Sequence, residues 1–260
     1  MEEEETEQQL LTRDSFAETF KADTYLKDFY SQMDEPAMKF VLTFLPNLVV
    51  RLPKGGSLLD FGCGPTVHVA LSFRHHVDQI CLADYLPQNR AALIDWVKGQ
   101  STFDWSAVKE VIGCVEGSDE FHAMEDQARK KVRRVMHCDC LKRNPIPGIR
   151  PEFVGFDILV TIYCLEYCCN TLEEYDWAMR NVVALVKPGG FFILGGILEE
   201  TWCEFGGHKY TCLFVTETQV CGILESAGLD VENAVYFCNN GIFLLCARKG
   251  AQQQPRLREE

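Results

Sequence analysis

Apolar residues follow two spacings along the chain, and their alternation predicts an ordered series of strands and helices. Short runs that are apolar almost throughout indicate buried strands at residues 57–61, 79–83, 132–137, 156–163, 191–197, 231–237 and 241–248. Helical spacing or propensity predicts helices at residues 15–32, 36–50, 66–75, 88–98, within 103–131, and at 171–186 and 216–227. Such strands, alternating with helices, are typical of a parallel sheet covered on both faces.

Local signals predict where several of these elements begin and end. Thr171 with Glu174, and Thr216 with Gln219, have the spacing of capping boxes at helix N-termini. The sequence Lys-Pro-Gly-Gly at residues 187–190 is expected to end a helix before the next strand. A proline inside the second helix, Pro46, is expected to kink or shorten it.

The last two apolar runs are joined by Asn239-Asn240-Gly241, which is a strong signal for a β-hairpin. The predicted fold is therefore α/β, with a doubly wound, mostly parallel sheet and an antiparallel C-terminal hairpin. We expect one domain at residues 13–249, flanked by a disordered acidic tail at 1–12 and a polar tail at 250–260.

The charge balance narrows the classes of partner. The formal net charge is -13 and no basic stripe compensates for it, so nucleic acids and anionic membranes are not expected partners. An acidic protein is better suited to a neutral or cationic small molecule. The sequence contains no apolar run long enough for a bilayer, and its acidic start resembles neither a signal nor a transit peptide, so we expect a cytoplasmic protein.

The chain has 13 cysteines, an odd number, which we interpret as reduced thiols of a cytosolic protein. Cys138 and Cys140 flank an aspartate, and Cys164, Cys168 and Cys169 form a second group. A structural zinc site requires two suitably spaced pairs of ligands. No second matching pair stands out, so burial as small apolar side chains is the favoured interpretation and no metal is expected.

Two glycines after the first predicted strand indicate a ligand site. Gly62 and Gly64 allow a sharp turn and a close approach of the backbone to a ligand. Asp84 follows about twenty residues later at a strand tip, where a carboxylate can bind both ribose hydroxyls. S-adenosylmethionine and dinucleotide sites share these features. Val67 at the third glycine position of a dinucleotide motif, and Asp60 before the loop, favour a sulfonium ligand over a pyrophosphate.

A further aspartate, Asp139, follows the third strand and has Cys140 beside it. At that edge of a parallel sheet it could bind the adenine amino group. An ordinary cap or loop aspartate is an equally open alternative.

Eight segments, in order along nearly the whole chain, resemble one family. They are Ala22-Asp23-Thr24-Tyr25-Leu26 with Tyr30, residues 59–66, Ala83-Asp84-Tyr85 with Gln88-Asn89, Phe103-Asp104-Trp105-Ser106, Cys164-Leu165-Glu166, residues 187–190, residues 198–202, and residues 239–241 with 247–249. Together they are similar to the small-molecule amine methyltransferases, which comprise the nicotinamide, phenylethanolamine and indolethylamine N-methyltransferases.

The resemblance implies a class I methyltransferase fold with an N-terminal helical lid at residues 13–50. By position, it assigns S-adenosylmethionine to Tyr25, Tyr30, Gly62, Gly64, Thr66, Asp84, Tyr85, Asn89, Asp139 and Cys140. Without it, Tyr25 and Tyr30 would be interpreted as packing residues of a helix. Valine is usual in the family where this chain has Cys140.

The expected catalytic residues are Glu166 and Glu200, which follow the fourth and fifth strands and can attract an ammonium group. In the phenylethanolamine enzyme, acidic residues at these places contact the substrate amine. The nicotinamide enzyme instead has aspartate where this chain has Gly196, and a small hydroxyl residue at the position of Glu200. The resemblance therefore favours a small aryl-alkyl amine, such as a phenylethanolamine or indolethylamine, as the substrate of a monomeric enzyme.

Several alternatives remain open at this stage. Cys203 stands where the family has tyrosine, and the hairpin at residues 239–241 is closer to the nicotinamide and indolethylamine enzymes. A nicotinamide or pyridine methyltransferase is one alternative, and a solvated-loop role for the two glutamates is another. A non-catalytic protein with the same fold, or an NAD-dependent dehydrogenase, would differ in its cofactor loop or in its ligand.

Overall fold

The computed structural model describes residues 10–149 and 155–251. Residues 1–9 and 252–260 of the predicted tails lie outside the described residues, as do residues 150–154. Leu10–Leu11, which the prediction placed in the acidic tail, form a short strand, β1. The extent of the single domain stays a prediction.

The described chain alternates strands and helices as the apolar pattern predicts. After β1, the strands are β2 (Ser57–Phe61), β3 (Gln79–Asp84), β4 (Val132–His137), β5 (Phe156–Ile162), β6 (Val186–Ile197), β7 (Trp202–Phe205), β8 (His208–Thr211), β9 (Leu229–Asn239) and β10 (Ile242–Lys249). The helices are α1 (Phe16–Thr19), α2 (Ala22–Tyr30), α3 (Pro36–Val49), α4 (His68–Phe73), α5 (Pro87–Val97), α6 (Ser106–Glu116), α7 (Met124–Lys131), α8 (Leu165–Cys168), α9 (Leu172–Val183) and α10 (Glu217–Ser226).

Seven of these strands form one sheet in the order β4-β3-β2-β5-β6-β10-β9. The first five run parallel, and β10 pairs antiparallel with both β6 and β9. This arrangement confirms the α/β class and the antiparallel C-terminal hairpin. A smaller sheet in the order β1-β8-β7 was not predicted.

Helices cover both faces of the large sheet because its central strands are apolar on both sides. One core contains apolar residues of α3 to α7, including Leu42, Leu71 and Trp96. The other contains residues of α9 and α10, including Met179 and Leu224. With both faces covered, the carboxyl edge of the parallel strands is the open place for a ligand.

Three local predictions are corrected by the structure. The helix expected at residues 15–32 is divided into a 3-10 turn, α1 and α2, because Phe20 and Lys21 have extended backbones. The helix expected to reach 186 ends at Val183, and the Lys-Pro-Gly-Gly segment belongs to β6, where the pairing register with β5 shifts. Pro46 does not shorten the helix α3, which continues for three more residues to Val49, and a kink there stays a prediction.

The two predicted capping boxes have different outcomes. At α10 both hydrogen bonds between Thr216 and Gln219 are present. At α9 only Thr171 caps, accepting from the Glu174 N–H, because the Glu174 side chain instead binds Arg13 and the Asn170 N–H. Glu174 thereby ties the N-terminal segment to the sheet domain.

Candidate active site

A cavity of about 480 Å³ lies at the carboxyl edge of the parallel strands, between the sheet and the N-terminal helices. Its walls come from the segments after β2, β3, β4 and β5, from α1 and α2, and from β7 and β8. The residues expected to bind the cofactor all line it: Tyr25, Tyr30, Gly62, Gly64, Thr66, Asp84, Tyr85, Asn89, Asp139 and Cys140. Glu200 also lines the cavity, whereas Glu166 lies outside its lining.

The loop after β2 folds as the glycine spacing predicts. Gly62 and Gly64 both have left-handed backbones, with φ angles of 68° and 61°. A Cβ at Gly62 would lie 2.1 Å from the Cys164 Sγ, so this position excludes any side chain. Gly64 has open space instead, with its nearest contact at 4.0 Å, so its bare backbone borders the cavity.

Asp84 at the tip of β3 organises this end of the cavity. One carboxylate oxygen accepts the Gly64 N–H at 2.8 Å, and the other accepts the Leu86 N–H at 2.9 Å and the Asn89 amide at 3.0 Å. Burial raises the pKa of Asp84, and these hydrogen bonds act in the opposite direction. The carboxylate is thus fixed in orientation, with lone pairs left for hydroxyl groups.

The neighbours of Asp84 provide a polar acceptor and an exposed ring. The Asn89 Oδ1 is buried and has no protein partner. Tyr85 is 55% exposed at the cavity rim and lies 5.4 Å from the His137 ring. An exposed ring beside a hydroxyl-binding carboxylate is suited to cover an adenosine group.

Asp139 has features of both sequence interpretations. Its carboxylate accepts the Leu141 N–H at 3.0 Å, as an ordinary loop aspartate does. It also lines the cavity together with Cys140, as an adenine contact requires. Cys140 is positioned through its carbonyl, which accepts the Asn181 side-chain amide at 3.1 Å.

Two buried polar residues of the cavity were not among the predicted site residues. Asp60 lacks a partner at Oδ2, and His68 lacks one at Nε2. Burial, with the nearby charge of Asp84, raises the pKa of Asp60, whereas burial lowers the pKa of His68 to about 4. Asp60 precedes the glycine loop and was noted as suited to a sulfonium ligand. His68 had no sequence signal beyond its place after that loop.

The unpartnered atoms of Asn89, Asp60 and His68 can receive polar groups of the expected cofactor. Orphaned buried polar atoms cost free energy, and the ones here surround one cavity. The His68 ring also stacks on Tyr30, with a centroid distance of 5.7 Å. An adenosyl ligand with hydroxyl, ammonium and carboxylate groups can satisfy Asn89, Asp60 and His68, so the residues present fit S-adenosylmethionine.

Aromatic rings form the wall of the cavity on the side of the N-terminal helices. Phe205 lies 5.2 Å from Phe20, 5.3 Å from Tyr25 and 4.4 Å from Tyr210, measured between ring centroids. We call these four residues the aromatic wall. It offers an apolar surface to an aryl group and ring faces to a cation.

The two candidate catalytic glutamates occupy different environments. Glu200 is partly exposed and follows Glu199, whose φ of 58° is rare for a residue other than glycine. Glu166 is only 3% exposed, its Oε1 has no partner, and a Cβ at Gly196 would lie 2.7 Å from that atom. Burial raises the pKa of Glu166 to about 7. Glu166 is thus not among the residues that line the cavity, and its role toward the substrate amine stays a prediction.

Glu166 is nevertheless electrostatically close to the cavity. Burial is the main cause of the raised pKa values of Tyr163, Tyr167 and Cys203, which all line the cavity, and the charge of Glu166 raises them further. Glu166 therefore lies outside the lining, close to the part of the cavity wall that β7 forms. It can act through its electric field rather than by direct contact with a ligand. The position of Glu166 on a short helix after a strand did not predict whether its carboxylate lines the cavity or is buried beside it.

The N-terminal segment is tied over the cavity by specific bonds. Arg13 donates to both carboxylate oxygens of Glu174, at 2.7 and 3.1 Å, and to the Cys168 carbonyl at 2.7 Å. Gln88 donates to the Phe20 carbonyl at 3.2 Å. These ties hold α1 and α2 in the position that the lid hypothesis requires.

Within residues 10–149 and 155–251, no three His, Cys, Asp or Glu side chains are grouped as a metal site would need. No helix in the same ranges has the length and apolar character to cross a membrane.

Comparison with known proteins connects this site to a family. A profile of the NNMT/PNMT/TEMT family matches residues 7–250. Nicotinamide N-methyltransferase of Caenorhabditis elegans is 35% identical over 88% of this chain and 89% of its own length. Human phenylethanolamine N-methyltransferase is 33% identical over 69% of this chain and 64% of its own length.

Solved structures share the fold at low sequence identity. Magnesium protoporphyrin IX methyltransferase from Synechocystis PCC 6803 with bound SAM has a TM-score of 0.58 at 12% identity. The match covers 92% of this chain and 95% of that protein. The fold is therefore that of the class I methyltransferases. With the family profile matching nearly the whole chain, the protein belongs to the NNMT/PNMT/TEMT family and is an S-adenosylmethionine-dependent N-methyltransferase.

Proposed function

We propose that this enzyme methylates the nitrogen of a small aryl-alkyl amine. Glu200 and the aromatic wall lie in one cavity, and this combination is the main support for the proposal. A carboxylate binds the ammonium form through a charge-assisted hydrogen bond, and the rings accept the aryl group. Nicotinamide is neutral and gains little from such a carboxylate.

We assign the cofactor end of the cavity to the glycine loop, Asp84, Asn89 and the two tyrosines of α2. S-adenosylmethionine, when bound, supplies a methyl group already activated by its sulfonium. The Asp84 carboxylate and Asn89 would orient the ribose, and Asp60, whose ionised form a nearby cation favours, would offset the charge of the sulfonium. Asp139 with Cys140 would hold the adenine, and Tyr85 would cover it.

At the amine end, the protein must position the nitrogen and remove its proton. Glu200 lies in the cavity, so we assign it the contact with the substrate nitrogen. Glu166, which lies outside the cavity lining, acts through its charge. With a pKa of about 7 it can ionise near neutral pH, and its ionised form stabilises the positive charge that develops on nitrogen. Tyr25, Phe20 and the rest of α1–α2 exclude water.

A second candidate is methylation of nicotinamide or another pyridine. The 35% identity to a nicotinamide N-methyltransferase favours it. The carboxylate of Glu200 favours the amine instead. Gly196 favours it too, because the aspartate that the nicotinamide enzyme has at this place would collide with Glu166 here.

A labelled-methyl assay with the full chain tests the choice. Phenylethanolamine, tryptamine, a simple alkyl amine and nicotinamide are compared with saturating S-adenosylmethionine. We expect a higher kcat/KM for an aryl-alkyl amine than for nicotinamide. Loss of a charge-assisted bond worth about 1.5–3 kcal/mol predicts that Glu200→Gln raises the KM for that amine by about 10- to 100-fold.

The matched control is Glu204→Gln, since Glu204 is exposed on β7 and lies outside the cavity lining. That variant should keep the KM of the unmodified enzyme. A preference for nicotinamide that Glu200→Gln leaves unchanged would select the second candidate.

A further inference from the structure

Two thiols face the same side of the short helix α8, at the wall of the cavity. Cys164 precedes the helix and Cys168 ends it, and the Cys168 N–H donates to the Cys164 carbonyl at 3.0 Å. Side chains four residues apart in a helical turn are neighbours, and these two Sγ atoms are 3.9 Å apart. Both are free thiols that line the cavity, so one ligand there can reach two sulfurs at once.

Contacts on both sides hold the two thiols in place. The Cys164 Sγ lies against the glycine loop, where a Cβ at Gly62 would be 2.1 Å from it. The Cys168 carbonyl accepts a hydrogen bond from Arg13 at 2.7 Å, which ties the end of α8 to the N-terminal segment. Cys164 is buried, whereas Cys168 is partly exposed and gives a small reactant its first contact. The pair is therefore preorganised for a ligand that binds both sulfurs.

The number and spacing of these thiols decide which chemistry fits them. A structural zinc ion takes four ligands, whereas the described part of the chain holds no group of three His, Cys, Asp or Glu side chains around a common point. A disulfide would need sulfurs about 2.0 Å apart, and the glycine loop restricts the movement of Cys164. A trivalent arsenic atom with one organic group needs only two thiols. It also bridges a wider spacing than a disulfide does, because arsenic stands between the sulfurs.

We propose that Cys164 and Cys168 form a binding site for monosubstituted trivalent arsenicals of the type R–As=O. Each sulfur forms one bond to arsenic, the As=O bond breaks, and the two thiol protons leave with the oxygen as water. Arsenic stays trivalent, so the step needs neither an oxidant nor a reductant. The product is a ring that contains arsenic, both sulfurs and the turn of α8. Since both thiols line the cavity, the organic group occupies part of it.

An arsenical bound at this pair should exclude the cofactor. This effect rests on the proposed cofactor end of the cavity, because Cys164 lies against the loop of Gly62 and Gly64. We expect the adduct to bind S-adenosylhomocysteine about tenfold more weakly or worse, and saturating S-adenosylhomocysteine to weaken arsenical binding by the same factor. A small dithiol, which forms the same kind of ring with arsenic, should restore the affinity, whereas a monothiol at equal concentration should not.

Native mass spectrometry of the reduced full chain with phenylarsine oxide tests the assignment. We expect one phenylarsenic group to be bound per chain at a small molar excess, with the loss of two thiol hydrogens. A single-thiol adduct would instead lose one hydrogen. Calorimetry with S-adenosylhomocysteine on the same sample measures the effect on the cavity.

Variants separate this pair from the neighbouring thiols. Cys168→Ala should lower the affinity for phenylarsine oxide by about tenfold or more, because a single thiol cannot close the ring; Cys168→Ser takes its place if the alanine variant does not fold. The matched control is Cys169→Ala, since Cys169 is the next residue but lies outside the cavity lining. Cys140→Ala removes another thiol of the same cavity. Both should bind the arsenical as the unmodified protein does.

Several results would overturn the proposal. They are binding that survives without Cys168, binding that is lost without Cys169 or Cys140, and first reaction at the exposed Cys114 and Cys238. An adduct with unchanged S-adenosylhomocysteine affinity would overturn the effect on the cavity. Untreated protein that binds no S-adenosylhomocysteine would contradict the cofactor assignment instead, whereas the mass measurement would still judge the thiol pair.

Discussion

At the scale of single residues, Asp84 illustrates how a buried carboxylate serves structure and binding together. Its two oxygens accept three protein hydrogen bonds, from the Gly64 and Leu86 N–H groups and the Asn89 amide. All three donors belong to segments that line the cavity. The bonds fix the glycine loop and the start of α5 relative to β3, so the cavity wall depends on one side chain.

Replacing Asp84 by asparagine should weaken both functions. Both oxygens of Asp84 accept hydrogen bonds, whereas the amide NH2 of asparagine can only donate. The NH2 group would therefore face a buried N–H donor without an acceptor between them, at a cost of about 1–3 kcal/mol. We expect a lower free energy of unfolding and S-adenosylhomocysteine affinity reduced by about tenfold or more. Urea unfolding and calorimetry measure the two effects.

The control for this variant is Asp78→Asn. Asp78 accepts the Gly56 N–H at 2.8 Å at the opposite edge of the sheet, outside the cavity lining. It should lose stability without losing affinity. Equal loss of affinity in both variants would assign the Asp84 effect to folding alone.

Glu166 predicts a stability that depends on pH. Its folded pKa of about 7 lies above the ordinary value of 4.5, so the fold favours the protonated form. Below about pH 4.5 the side chain is protonated in both states and costs nothing. As pH rises from about 4.5 to about 7, the unfolded chain releases this proton while the folded chain retains it, which destabilises the fold by up to about 3 kcal/mol; above about pH 7 the loss levels off.

The variant Glu166→Gln should therefore gain stability relative to the unmodified protein as pH rises. Between pH 5 and pH 8 the difference in unfolding free energy should move by about 2 kcal/mol in favour of glutamine. Urea unfolding at both pH values measures it, with the exposed Glu204→Gln as control. A difference that is the same at both pH values would contradict a raised pKa of this buried carboxyl.

The contrast between Glu166 and Asp84 also shows what the sequence could determine at this scale. The glycine spacing and the strand-tip position of Asp84 predicted its place in the cavity, because sharp turns and carboxyl edges depend on local backbone geometry. Glu166 follows a strand tip as well, yet its side chain packs against Gly196. Which way a side chain turns depends on neighbours from distant segments, and a single sequence does not contain that information.

At the scale of elements, the N-terminal segment behaves as two helices with a joint. Extended backbone at Phe20 and Lys21 divides the predicted helix, and this break lets Phe20 and Tyr25 both reach Phe205. Helical periodicity of the apolar residues continues across the break, so the sequence could not reveal it. The strands β9 and β10 and the helix α10, whose signals are local, were predicted within two residues at each end.

The tie between Arg13 and Glu174 should control how easily this segment opens. The ion pair is partly buried, with 23% and 34% of the two side chains exposed, and is worth about 1 kcal/mol. Arg13→Ala should speed hydrogen exchange in α1 and α2 and raise the dissociation rate of S-adenosylhomocysteine by about 3- to 10-fold. Exchange mass spectrometry and stopped-flow release measure these changes.

The matched control is Arg180→Ala on α9. Arg180 pairs with Asp176 at 2.9 Å on the surface, and it has no bond to the N-terminal segment among those described. It should leave the dissociation rate unchanged. If both variants release the ligand at the original rate, the segment does not gate the cavity.

At the scale of the whole molecule, the net charge of the protein is negative, and the ionisable residues that line the cavity are mostly acidic. Acidic residues outnumber basic ones by 38 to 25 along the chain. Asp60, Asp84, Asp139 and Glu200 line the cavity, and Arg13, the one Arg or Lys among the described lining residues, is paired with Glu174. The protein therefore presents a negative field to its ligands.

This field should distinguish the methyl donor from its product by salt. S-adenosylmethionine carries one more positive charge than S-adenosylhomocysteine, and the two otherwise make the same contacts. The Debye length falls from about 30 Å at 0.01 M salt to less than about 8 Å at 0.5 M, so the long-range attraction of the donor is screened. We expect calorimetry to show donor affinity falling by about threefold or more over this range, while product affinity changes less. The product is the control, because its affinity reports any general effect of salt on the fold. An equal fall in the affinities for both ligands would show that the acidic surface does not attract the sulfonium. Asp60 and its neighbours would then bind the donor through local contacts alone.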